Sequence, residues 1–134
     1  LKVLQSVSEC ILQPQSDLDK VRQFLHQHGF QIVQEKMLID EGKYYVVMRV
    51  LHGEERIYTE AEDIYGRFLI NEKHPVLKEY LEKQKAGKEK LLLALKDKTS
   101  EKGHERQQEL LHELQIIIET ITRMVDENAE QRPD

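Results

Sequence analysis

The sequence predicts an α/β half-sheet followed by a pair of long helices, and three observations predict it. A short apolar run, Cys10-Ile11-Leu12, stops at Gln13-Pro14 and leads at once into a helical pattern carried by Leu18, Val21, Phe24 and Leu25. Two strand-like stretches, 31–39 and 43–51, flank Asp40-Glu41-Gly42, which reads as a three-residue hairpin loop with glycine where a positive φ is needed. Beyond Pro75, leucine and isoleucine recur at helical spacing into the last turns of the chain. Residues 1–70 therefore read as an α/β part, and 71–134 as an antiparallel helical hairpin of coiled-coil type.

Charge supports that boundary. Residues 1–70 carry 8 Lys+Arg against 11 Asp+Glu, residues 71–102 carry 9 against 6, and residues 103–134 carry 3 against 8. Only 39% of the 134 residues are hydrophobic and 34% are charged, which suits one modest domain with an appendage. The single cysteine, Cys10, lies in an apolar run and reads as a small core residue. One cysteine closes no internal disulfide. No apolar run reaches the length of a membrane span and no signal peptide is visible, so a soluble, cytoplasmic protein is expected. The first residue is Leu1 rather than Met, so a processed or cut piece of a longer protein is also expected.

Val3, Leu4 and Val7 have helical spacing over a stretch too short to assign. Cys10–Leu12 is the first strand. Ser16 reads as the cap of the first firm helix, with Asp19 at the capping-box position. Gly29 ends that helix, and Phe30 folds back on Leu25. Tyr44-Tyr45-Val46-Val47-Met48 is apolar on both faces, which predicts a strand covered on both sides. Thr59-Glu60-Ala61-Glu62 is a second capping box, opening a helix that Gly66 closes. Pro75 suits the first turn of the next helix. Thr99-Ser100-Glu101-Lys102-Gly103 reads as a turn. In the final helix Leu110, Leu114, Ile117, Ile121 and Met124 form a heptad-like stripe, thickened by Leu111, Ile118 and Val125. That stripe reads as packing, within the hairpin or against a second copy of the chain.

Few residues carry chemistry. In open α/β sheets, ligands sit beyond the carboxyl ends of the strands, so Gln13 and Pro14 are the active-site-lining candidates. The glycines at 29, 42, 53, 66, 87 and 103 are too scattered for a phosphate-cradling loop. His26 and His28 point to opposite sides of a helix, and no zinc pattern or Ser/His/Asp or Cys/His set assembles, so no metal is expected. The run Lys73, Lys78, Lys83, Lys85, Lys88 and Lys90 reads either as a solvated helix face with acids interleaved or as a phosphate-contacting patch for nucleic acid. Tyr44 and Tyr45 read as strand core or as surfaces on which a base stacks.

The ordered set Ile11-Leu12-Gln13-Pro14, Asp17-Leu18, Val21-Arg22, Leu25, His28-Gly29-Phe30, Glu41-Gly42-Lys43, Tyr45, Tyr65-Gly66 and Phe68-Leu69 resembles the second half of the bacterial TrmK family, tRNA methyltransferases that modify N1 of adenine 22. The resemblance covers residues 8–75 by motif and the rest by architecture. It implies the later part of a class I, Rossmann-like methyltransferase sheet with an antiparallel last strand. It implies S-adenosylmethionine as cofactor, held by a glycine loop upstream of Leu1, so that this chain alone is inactive. Gln13 and Pro14 would line the active site. The helical hairpin would help grip the tRNA, which favours the phosphate-contacting reading of the lysines, and Tyr45, Arg67, Lys83, Lys85, Lys88 and Lys90 are the tRNA-binding candidates. Val46 stands where the family usually has an acid, and Arg67 where it usually has proline. The rival reading is a non-catalytic adaptor whose hairpin dimerises or binds a partner.

Overall fold

The computed structural model describes residues 9–130, with side chains to Val125. The readings at Val3, Leu4 and Val7 lie outside the described residues. The elements are β1 (Glu9–Leu12), α1 (Leu18–Gln27), β2 (Phe30–Asp40), β3 (Lys43–His52), α2 (Glu60–Tyr65), α3 (Arg67–Asn71), α4 (Pro75–Ala94) and α5 (Glu101–Glu130). The chain divides into two compact units, Leu1–Leu77 and Lys78–Asp134.

The first unit is built on a small sheet ordered β1-β3-β2, with both pairings antiparallel. β1 and β2 therefore run in the same direction on either side of β3. Directly paired residues share a face. Cys10, Leu12, Ile32, Glu35, Met37, Val46, Met48 and Val50 share one face, and all but the two from β1 are buried. Leu25 of α1, and Leu69 and Ile70 of α3, are buried with them. Ile11, Gln34, Lys36, Leu38, Tyr45, Val47 and Arg49 share the other face, and none of them is buried. The strand expected to be covered on both sides is thus covered on one by the described residues.

A register jump between Ile32 and Gln34 inserts Val33 as a bulge in β2. It switches the parity of the strand, so Phe30 and Ile32 before it and Glu35 and Met37 after it all face inward. The β2–β3 connection is tighter than expected. Asp40 pairs with Lys43, and Glu41 (φ 49°) and Gly42 (φ 79°) form a two-residue loop with both φ values positive, the turn whose twist suits a hairpin.

Local signals hold in part. Gly29 (φ 79°) follows α1, and Leu25 and Phe30 are both buried. The Thr59–Glu62 capping box is complete, and His74 accepts the Val76 N–H ahead of α4 at 3.2 Å. The Ser16 box is not formed. Asp17 caps α1 from the left-handed region (φ 52°) with no side-chain cap bond, so Ser16 lies one residue too early.

In the second unit, Ser100 Oγ accepts the Gly103 N–H at 3.1 Å, so α5 is already under way at Glu101, and only the residues before it form a turn. Lys88 reaches Glu113 at 3.1 Å, and Gln107 Nε2 donates to the Leu95 carbonyl. Positions late in α4 thus meet positions early in α5, and earlier ones meet later ones, so the two helices run antiparallel. Leu81, Leu110, Leu114, Ile116, Ile117 and Met124 are buried. Leu111, Ile118 and Val125 are 47%, 46% and 45% exposed and do not thicken the packed stripe, because one residue along a helix turns a side chain about 100° away.

Candidate functional site: an open sheet end and a clamped loop

The parallel direction of β1 and β2 places the exit of β1 and the β2–β3 turn at the same end of the sheet. Gln13 is exposed there and Pro14 half-buried. Five further β2–β3 pairs, from Lys36–Val47 to Asp40–Lys43, extend past the last β1 pair, Leu12–Met48. The hairpin therefore overhangs the strand end by about 17 Å, at roughly 3.4 Å per residue. Tyr45 is half-buried on the open face of that overhang.

Behind the sheet lies a polar cluster that sequence reasoning did not anticipate. Arg22 and Glu35 form a two-pronged ion pair with both side chains fully buried, Nη2 to Oε1 at 2.7 Å and Nε to Oε2 at 3.1 Å. Arg22 Nη1 also donates to the carbonyls of Asp63 (2.7 Å) and Ile64 (2.8 Å). One guanidinium thus joins α1, β2 and the end of α2. Gly66 (φ 95°) follows directly, and a Cβ there would lie 2.9 Å from Arg22 Nη2 and 3.1 Å from Glu35 Oε1. The signals were present in the sequence. Arg22 sits four residues from Leu18 and three from Leu25, on the inward stripe of α1.

A second hub forms around Glu55, whose side chain is 6% exposed. It accepts from the Ile32 N–H (2.9 Å) and the Tyr58 hydroxyl (3.1 Å), and it pairs with His26 Nε2 (2.5 Å) and Arg67 Nη1 (3.3 Å). Burial, with the Glu55 charge added, pushes the Tyr58 hydroxyl well above its ordinary range. Burial also raises the Asp63 carboxyl. Arg67 keeps 29% of its side chain exposed, with its guanidinium 5.3 Å from the Phe68 ring centre.

The lysines lie in the second unit. Lys83 pairs with Glu79 (3.3 Å), Lys85 with Glu89 (3.2 Å) and Lys88 with Glu113 (3.1 Å), while Lys90 is exposed without an ion-pair partner among the described residues. Much of the run therefore balances neighbouring carboxylates. Among the described residues no group of three or more His, Cys, Asp or Glu side chains could hold a metal, and no helix is long and apolar enough to cross a membrane.

Three of the glycines stand at the ends of elements. Gly42 serves the hairpin turn, and the spaces a Cβ would take at Gly53 and Gly66 are filled by Gln31, and by Arg22 with Glu35. These three glycines thus serve a turn and close packing.

In the first unit an antiparallel strand lies between two strands of common direction, with helices packed on one face, an arrangement that fits the edge of a Rossmann-like α/β sheet. Solved structures agree. A Streptococcus pneumoniae protein, described as a proposed tRNA (m1A22) methyltransferase in complex with S-adenosyl-L-methionine, is 31% identical with a TM-score of 0.73 over 88% of this chain and 49% of its own. A protein of the NADB-Rossmann superfamily from Streptococcus agalactiae is 28% identical, with a TM-score of 0.77 over 90% of this chain and 50% of its own. The Bacillus subtilis m1A22 tRNA methyltransferase TrmK shares the fold at 22% identity, with a TM-score of 0.75 over 84% of this chain and 51% of its own. The chain thus spans about half the length of these structures. No curated protein matches the sequence. The family profile described as TrmK, tRNA (adenine(22)-N(1))-methyltransferase, matches residues 1–120, and the chain belongs to that family.

Proposed function

We propose that this chain forms about half of an S-adenosylmethionine-dependent tRNA methyltransferase that modifies N1 of adenine 22. The observation that carries the reading is the family match over residues 1–120, spanning both structural units. In this reading residues 1–70 end the methyltransferase sheet, and 71–134 form a coiled-coil hairpin that grips tRNA in the cytoplasm. Gln13 and Pro14 line the base-facing end of the sheet. Arg67, Lys83, Lys85, Lys88 and Lys90 meet tRNA phosphates. The chain's contribution is to position the RNA, which is most of what a transfer between two bound reactants requires. The exposed residues Leu111, Ile118 and Val125 offer a strip on which a second copy pairs. A purely monomeric sedimentation profile removes that part of the reading. The adaptor alternative is not favoured by the family match.

The test is transfer of labelled methyl from S-adenosylmethionine into unmodified bacterial tRNA, with the full-length gene product beside this chain alone. Label at N1 of one adenine with the full-length product, and none with the chain alone, supports the reading. No transfer by the full-length product overturns it.

A further inference from the structure

The overhanging hairpin has two unlike faces. On the inner one, Met37 and Val46 pair across the strands and are 7% and 4% exposed, so the hairpin is anchored by the core beneath it. On the outer one, Leu38 pairs with half-buried Tyr45 and is itself 44% exposed. Lys36 and Lys43 lie on the same outer face, one to each side of that pair along the hairpin. Both are exposed with no ion-pair partner among the described residues. One carboxylate, Asp40, sits opposite Lys43 in the ladder. An aromatic ring and an aliphatic side chain on a rigid strand pair, flanked by free cations, match a nucleobase with its phosphates: the ring offers a stacking plane, and the lysines offer charge of the opposite sign. The platform also extends beyond the exit of β1, the end of the sheet where ligands of such folds collect.

We infer that Tyr45, supported across the strands by Leu38, is the platform on which an unstacked base of the RNA substrate lies. The inference rests on the tRNA methyltransferase reading and adds to it the surface that receives the base. An adenine inside folded tRNA has to leave its stack before N1 is reachable, and the ring takes over the stacking that the base gives up. Tyr45 acts here as a substrate-binding residue through its ring face, so its hydroxyl is dispensable.

The test uses the full-length gene product and unmodified tRNA, with kcat/KM for methyl transfer, tRNA affinity and the thermal melt measured for Tyr45→Phe, Tyr45→Leu and Tyr45→Ala. Tyr45→Phe keeps the ring and is expected within about twofold of wild type. Tyr45→Leu and Tyr45→Ala are each expected to lose about tenfold or more in kcat/KM, a loss in the range of one stacked base. Tyr45→Leu preserves apolar contact with Leu38, so it reports on stacking even if the alanine variant folds poorly. Wild-type kinetics for a folded Tyr45→Leu or Tyr45→Ala overturn the platform while leaving the methyltransferase reading intact. Absence of transfer by the wild-type protein overturns both.

Discussion

Arg22→Ala is the substitution expected to do most damage for its size. Arg22 donates four hydrogen bonds between 2.7 and 3.1 Å, two to Glu35 and two to the carbonyls of Asp63 and Ile64. Removing it leaves the Glu35 carboxylate fully buried with no counter-charge, and breaking one side of such a pair costs about 3–5 kcal/mol. Total domain stability is about 5–15 kcal/mol, so the loss is a large share of what is available. At roughly 4–8 °C per kcal/mol for a unit of this size, the thermal midpoint should fall by about 12–40 °C. The assay is a far-UV circular dichroism melt of wild type, Arg22→Ala and the double variant Arg22→Met with Glu35→Leu. Replacing both charges by apolar groups of similar bulk removes the orphaned carboxylate, so the double variant should recover most of the loss. A midpoint for Arg22→Ala within about 3 °C of wild type would refute the reasoning. A double variant no better than the single would show that the missing hydrogen bonds to the two carbonyls, and not the stranded charge, set the cost.

Three further outcomes are expected. Ile117→Asp puts a charge at a fully buried position of α5 and should melt the second unit, whereas Glu119→Lys, at an exposed position of the same helix, should change stability by no more than about 0.5 kcal/mol; equal effects in a helical melt would contradict the assigned face. Reversing Lys83, Lys85, Lys88 and Lys90 to glutamate should weaken tRNA binding and flatten its dependence on salt, by nearly one unit of slope for each phosphate no longer neutralised, and an unchanged slope would mark the run as a solvated face. The Tyr58 hydroxyl holds its proton more tightly in the fold than in the unfolded chain, so its contribution is complete below the ordinary tyrosine value of 10.0 and is lost as pH rises beyond it. Tyr58→Phe should therefore show a shallower alkaline loss of stability than wild type, and parallel curves above pH 10 would exclude that role.

The parts of the fold that follow from local chemistry were legible. The Gln13-Pro14 stop, Gly29, the Thr59–Glu62 box and Pro75 each mark an element boundary through backbone geometry that few residues satisfy. What escaped depended on partners distant in sequence. Gln34-Glu35-Lys36 looks like a solvated middle of a strand, yet Glu35 is 1% exposed because Arg22, thirteen residues earlier, neutralises it. Leu111 and Ile118 are the same residue types as Leu110 and Ile117 beside them, and only packing decides which leucine or isoleucine faces inward. The candidate site divides the same way. The strand end at Gln13 could be read directly, while the placement of Tyr45 beyond it required the register of three strands.

The bulge at Val33 has a bearing on how this segment can evolve. Glu35 meets Arg22 because Val33 is left out of the ladder as an unpaired residue; drawn into regular pairing, Val33 would turn Glu35 outward. Point changes around it can be absorbed one at a time. Deleting Val33 would make Ile32–Val50 and Gln34–Arg49 successive pairs and keep Glu35 and Met37 inward, whereas deleting Lys36 would turn Met37 out of the core. The segment should thus tolerate loss of its unpaired residue at Val33 but not loss of a paired neighbour such as Lys36. In comparing relatives, a gap placed here asserts which side of the strand is inside. An alignment that slides this stretch by one residue would exchange a buried acid for a surface lysine without any other warning.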